Sequence, residues 1–106
     1  MEGNEDFFPT ISEDELKDGS MKFVSIEGTP ILFIKLKSKI FVIDNRCPHQ
    51  GCGFSGGTLD GDVIVCPCHD WRFNLKTGEY EDVPSLMLKK YEFKIEDGKI
   101  WVKLED

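Results

Sequence analysis

Every cysteine and histidine of this 106-residue chain falls in two short stretches, CPHQGCGF at 47–54 and CPCHDW at 66–71. A fold has to bring four thiols and two imidazoles to two neighbouring tips, around a metal, a disulfide, or both. The surroundings suit that demand. Six of the ten glycines (Gly51, Gly53, Gly56, Gly57, Gly61, Gly78) and three of the five prolines (Pro48, Pro67, Pro84) lie between 45 and 85. Glycine permits close backbone approach and proline stiffens a turn, so this span reads as a loop-rich insertion between strands.

The flanks read as β structure. MKFVSIE (21–27), PILFIKL (30–36) and KIFVID (39–44) are short runs rich in Val, Ile and Phe. Gly28-Thr29-Pro30 and Lys37-Ser38 separate them as turns. KYEFKIE (90–96) alternates, with Tyr91, Phe93 and Ile95 on one face and charged residues on the other. Asp97-Gly98 then predicts a two-residue hairpin, and KIWVKLE (99–105) returns with Ile100, Val102 and Leu104 inward. One helical turn fits SEDEL, where Ser12 is placed to cap and Glu15 follows three residues later. The expectation is an all-β single domain over 1–106: a small antiparallel sandwich or barrel built from 1–44 and 86–106, carrying a subdomain at about 45–85.

Charge narrows the partners. Thirteen Lys and Arg against twenty Asp and Glu leave a formal charge of −7, which disfavours nucleic acid and anionic membranes and suits a basic partner. No apolar run approaches the roughly 18 residues of a membrane span, and MEGNEDFFPT lacks the pattern of a secretory signal. A cytoplasmic monomer without a membrane anchor is the expectation. In that compartment cysteine clusters favour metals over structural disulfides.

Cys47-x-His49 and Cys66-x-x-His69 offer two thiolates and two imidazoles with sixteen residues between His49 and Cys66. Tetrahedral zinc accepts such a set, although zinc sites usually show C-x-x-C pairs and two cysteines would be left over. A second possibility exchanges Cys47 for Cys52 as ligand. The C-x-H and C-x-x-H pair, with glycines and prolines where these loops have them, resembles the Rieske iron–sulfur family. RFNLKTGEY is similar to the F-x-L-x-T-G stretch of Rieske ferredoxins, and VPSLMLKKYEFKIEDGKIWV resembles their proline loop and closing hairpin. The resemblance implies one 2Fe–2S cluster, with Cys47 and Cys66 on one iron and His49 and His69 on the other.

It further implies roles for the remaining residues. Cys52 and Cys68 match the pair that forms a disulfide between the loops of respiratory Rieske subunits; two reduced thiols are the alternative in a reducing cytoplasm. Trp71 and Phe73 stand where those subunits carry a serine and a tyrosine, as in the ferredoxins of oxygenase systems, so neither position supplies a hydroxyl to the cluster. Phe54, Val83, Pro84 and Leu86 are expected to shield the cluster flanks, and Phe54 and Leu86 serve equally well as ordinary core. The serines have no histidine to activate them, since both are committed, and no catalytic site is expected. By resemblance the chain is a one-electron carrier between a reductase and a terminal oxidoreductase or oxygenase, not itself an enzyme. The alternatives are a Rieske part of a larger enzyme, such as a nitrite reductase small subunit or a dioxygenase component, and a zinc-stabilised β interaction module.

Overall fold

The structure is a computed structural model and describes residues 7–46, 53–68, 70–83 and 85–104. These residues form nine strands in three antiparallel sheets. The middle sheet contains β2 (Ser20–Ile26), β3 (Thr29–Leu36) and β4 (Lys39–Asp44) as consecutive hairpins. The terminal sheet sets β9 (Lys99–Lys103) between β1 (Phe7–Ser12) and β8 (Phe93–Glu96), so the two ends of the chain close on each other. The third sheet comes from the loop-rich span: β5 (Thr58–Asp60), β6 (Val63–Val65) and β7 (Arg72–Asn74).

Turn chemistry sets the register of three hairpins. Glu27-Gly28, Lys37-Ser38 and Asp97-Gly98 each place both central residues at positive φ, the signature of a type I′ turn. The first of these corrects the sequence expectation by one step. The reversal is made at Glu27-Gly28, and Thr29 and Pro30 already belong to β3. Pro30 does this at no cost in donors, because its carbonyl accepts from Asn45 N–H at 2.9 Å while its missing N–H is not asked for. Lys37 and Ser38 are unfavourable residues for such a turn, and the Ser38 N–H is held by the Asp18 carboxylate at 2.7 Å. The cap at SEDEL is present as a 3-10 turn, Glu13–Glu15, with Ser12 Oγ accepting from Asp14 N–H and Glu15 accepting from Ser12 N–H.

The middle sheet is buried on both faces, which explains why β3 is an unbroken apolar run. Ile31, Phe33 and Val42 point into one core with Ile11, Leu16, Tyr91, Ile100 and Val102 of the terminal sheet side. Leu32, Ile34 and Ile43 point the other way, against Phe54, Ile64, Phe73, Leu75 and Leu88 of the loop-rich part. Successive strand residues face opposite sides, so four consecutive apolar residues, Ile31 to Ile34, feed two cores at once. The closing hairpin is less uniform than its alternation suggests. Tyr91 and Ile100 are buried, whereas Ile95 lies 41% exposed near the hairpin tip.

The central position of β3 gives a direct test. Phe33→Ala should destabilise by about 3–5 kcal/mol in urea unfolding, the range for emptying a buried aromatic site. Phe23, on the neighbouring strand but 49% exposed, should change stability by no more than about 0.5 kcal/mol when replaced by Ala.

Candidate metal centre

Strand β4 ends at Asp44 and delivers the chain to the first cysteine stretch. The neck of this loop is closed by an antiparallel bridge between Arg46 and Gly53. Cys47, His49 and Cys52 lie between these two residues; they, His69 and Pro84 lie outside the described residues. The second stretch joins β6 to β7. Val65 pairs with Arg72, and Cys66 N–H donates to the Trp71 carbonyl at 2.8 Å, closing the base of the loop. Cys66 is fully buried at its base and Cys68 is half-buried.

The two necks touch. After the first loop, Phe54–Gly56 form a 3-10 turn whose Gly56 approaches the Pro67 ring. At Gly57 the contact is closer still: a Cβ built there would run into the Val65 carbonyl oxygen. Glycine is therefore required for the exit of the first loop to lie against the approach to the second. The exit of the first loop is thereby set beside Val65 and Pro67 of the second.

Polar side chains hold the first neck. Among the described residues, the buried polar side chains are Asp44 and Asn45, adjacent in sequence. Asp44 Oδ1 accepts from Arg46 N–H and Nε, and Oδ2 accepts from Arg46 Nη2 and from the Tyr91 hydroxyl, all within 2.8–3.0 Å. Asn45 takes the other side: its Oδ1 accepts from Ser55 N–H at 2.8 Å, its Nδ2 donates to Ser55 Oγ, and its carbonyl accepts from Phe54 N–H. Burial pushes the Asp44 carboxyl up, but the hydrogen bonds from Arg46 and Tyr91 and the Arg46 charge outweigh it and hold the group below the ordinary carboxylate range.

Trp71 and Phe73 continue the second loop as packing residues. Phe73 is fully buried, edge-on to Phe54 at 5.5 Å between ring centroids. Trp71 lies flat on Tyr80 with centroids 4.2 Å apart. Phe54 is core, with no exposed surface, and Leu86 packs against the same cluster. Val83 is 47% exposed. Residues that the sequence reading passed over include Asp44, Asn45 and Tyr80. The signal for the first two was present as a polar pair directly between an apolar strand and Cys47.

Among the described residues, Cys66 fits a cluster held in part by thiolates. Cys66 offers a sulfur shielded from water, at the root of a loop drawn against its counterpart, and sulfur with nitrogen is the donor set that a Rieske centre takes. A family model described as the Rieske [2Fe-2S] domain matches residues 6–92. The chain belongs to the Rieske [2Fe-2S] family. Membership brings one Rieske-type 2Fe–2S cluster as its cofactor.

Similar Rieske proteins fall into two groups by length. The ferredoxin component of the naphthalene 1,2-dioxygenase/salicylate 5-hydroxylase systems of Ralstonia sp. is 32% identical, covering 87% of this chain and 89% of that protein. Human apoptosis-inducing factor 3 is 33% identical over 84% of this chain, which spans only 15% of that protein's length. Among solved structures, a chain in the complex of reduced oxygenase and oxidized ferredoxin of carbazole 1,9a-dioxygenase superimposes with a TM-score of 0.85. It is 27% identical, with 97% of each chain covered. No helix among the described residues is long and apolar enough to cross a membrane.

Two predictions follow from the necks. Gly57→Ala should destabilise by about 1–3 kcal/mol, the usual cost of overpacking, and should lower the cluster content read from visible absorption. Asp44 should mark the acid side of the stability profile. A carboxyl depressed in the folded state contributes fully above its unfolded value, near 3.8, and loses that contribution as pH falls through the folded one. The stability difference between wild type and Asp44→Asn should therefore be constant near neutral pH and shrink in acid, as followed by urea unfolding.

Proposed function

We propose that this chain is a one-electron carrier that takes electrons from a reductase and delivers them to a terminal oxygenase or related oxidoreductase. The observation that carries the reading is mutual coverage: the oxygenase-system ferredoxin of Ralstonia sp. matches over nearly the whole of both chains. The carbazole dioxygenase complex adds a similar chain of the same length in an assembly of ferredoxin with oxygenase. A second reading, a Rieske part of a larger redox enzyme, is favoured by the match to a small fraction of apoptosis-inducing factor 3.

In this proposal 1–106 is a single Rieske domain with its cluster-binding subdomain at about 45–85. Cys47 and Cys66 hold one iron, and His49 and His69 hold the other. When bound, the cluster supplies reversible one-electron chemistry. The chain's own residues would hold it by these ligands, with the Cys66 thiol kept from water in the same core as Phe54, Ile64, Phe73 and Tyr80. Cys52 and Cys68 tie the two loops together; the disulfide-bonded state of Cys68 supports a cross-link, its partner lying outside the described residues. Such a bond contributes about 3 kcal/mol on the chain-entropy account. The acidic surface, at a net −7, suits a partner with a basic docking face, and the cytoplasm is the compartment proposed.

Stopped-flow mixing tests the function. Protein reduced by a ferredoxin reductase should be reoxidised by a Rieske oxygenase in a single one-electron phase; no reoxidation by any such acceptor would defeat the carrier reading. For the ligands, Cys47→Ser, His49→Ala, Cys66→Ser and His69→Ala should each give colourless or cluster-poor protein. Cys52→Ser and Cys68→Ser should keep the visible spectrum with a lower melting temperature. Loss of colour on Cys52→Ser with colour kept on Cys47→Ser would reverse the assignment of the first loop.

A further inference from the structure

Two buried polar residues, Asp44 and Asn45, stand one residue ahead of the first cysteine stretch, separated from it by Arg46. Asp44 uses both carboxylate oxygens on three donors of Arg46 and on Tyr91, a residue 47 positions away in the sequence. Asn45 uses its carbonyl and both ends of its amide on the 3-10 turn that follows the loop. That turn leads through Gly56 and Gly57 to Pro67 and Val65, against the approach to Cys66. A continuous set of contacts therefore runs from the C-terminal segment, across both ends of the first loop, to the base of the second.

We propose that Asp44 and Asn45 are positioning residues for the cluster, a clamp that sets how the Cys47–His49 loop faces the Cys66–His69 loop. The proposal rests on the ligand assignment above. Neither residue is a ligand in it. Asp44 fixes the side on which the chain leaves β4, because Arg46, the residue before Cys47, is gripped at its backbone and at its guanidinium together. Two parallel N–H···O bonds from one guanidinium define a direction as well as a distance. Asn45 fixes the width of the neck, because one side chain bridges the two chain segments that the loop connects. A ligand loop whose neck can rotate or spread presents sulfur and nitrogen at altered angles, and outer-sphere partners of this kind tune a metal site as well as retain it.

The clamp differs from ordinary structural support in what its loss should change. Asp44→Asn keeps the volume but replaces one acceptor oxygen with an amide NH2, which then faces donors of Arg46 or Tyr91. Tyr91→Phe removes one donor to Asp44, and Ser55→Ala removes one partner of Asn45. Leu16→Ala serves as the comparison, since Leu16 is 2% exposed in the core on the far side of the middle sheet. Each holoprotein is examined by electron paramagnetic resonance of the reduced form, by reduction potential, and by the rate of bleaching on dilution into chelator, at denaturant concentrations matched for the fraction folded.

Asp44→Asn should shift the g values and the potential and bleach several-fold faster than wild type. Tyr91→Phe and Ser55→Ala should do the same to a smaller degree, and Leu16→Ala should keep the wild-type spectrum and potential. Wild-type g values, potential and bleaching rate in Asp44→Asn would overturn the proposal. If that variant does not fold, the same wild-type result in both Tyr91→Phe and Ser55→Ala would overturn it. Equal changes in Leu16→Ala would also overturn it, by reducing the effect to general stability. A wild-type protein without a Rieske signal would instead defeat the ligand assignment, an outcome separate from all of these.

Discussion

The middle sheet, buried on both faces, is the constraint on which the other parts depend. Ile31 and Phe33 belong to one core and Leu32 and Ile34 to the other, so a single strand joins the closed ends of the chain to the cluster-binding part. Strand β4 carries the same duality through Val42 and Ile43, and it ends where the first cysteine stretch begins. The loop is thus launched from a strand whose last three residues, Val42 to Asp44, are buried. A site that must hold ligands within narrow tolerances gains from such a base, because close-packed strands have few alternative arrangements.

Polar groups then act where apolar packing ends. A buried carboxylate would be costly alone, yet Asp44 has four donors around it and stays ionised. Arg46, its partner, is largely exposed, so the pair does not carry the full cost of taking two charges from water. The result is a strand end with a defined direction. On the second loop, direction comes from backbone pairing: Val65 against Arg72 and the Cys66 N–H on the Trp71 carbonyl. Arg72 adds ion pairs to Asp60 and Glu81 on the outer surface, where such pairs contribute little to stability.

Aromatic residues connect the two arrangements. Phe54, just after the first loop, meets Phe73, just after the second, and Tyr80 covers Phe73 while stacking on Trp71. The positions at which respiratory relatives are expected to carry hydroxyls are therefore filled here by packing. Phe73 has no exposed surface. A polar group introduced there would need a hydrogen-bond partner inside the fold.

Much of this was legible in the sequence. The Asp97-Gly98 turn and the Ser12–Glu15 cap are local features, encoded in residues a few positions apart, and they appear where expected. The family was readable for the same reason, since metal chemistry restricts residue type and spacing together, and the Rieske family model matches 6–92. The turn at Glu27-Gly28 was misplaced by a step because Gly28-Thr29-Pro30 satisfies turn preferences on its own, and only pairing of Ile26 with Thr29 decides the register. Asp44 and Asn45 looked like ordinary polar residues at a strand end. Their burial depends on Tyr91 and Ser55, which the chain brings to them from 47 and 10 positions away. The sequence alone determined the class of fold, the family and the chemistry of the donor set. The tertiary structure decided which face of each strand meets which core, why Gly57 must be glycine, and what holds the ligand loops at their necks, because those depend on contacts between segments distant along the chain.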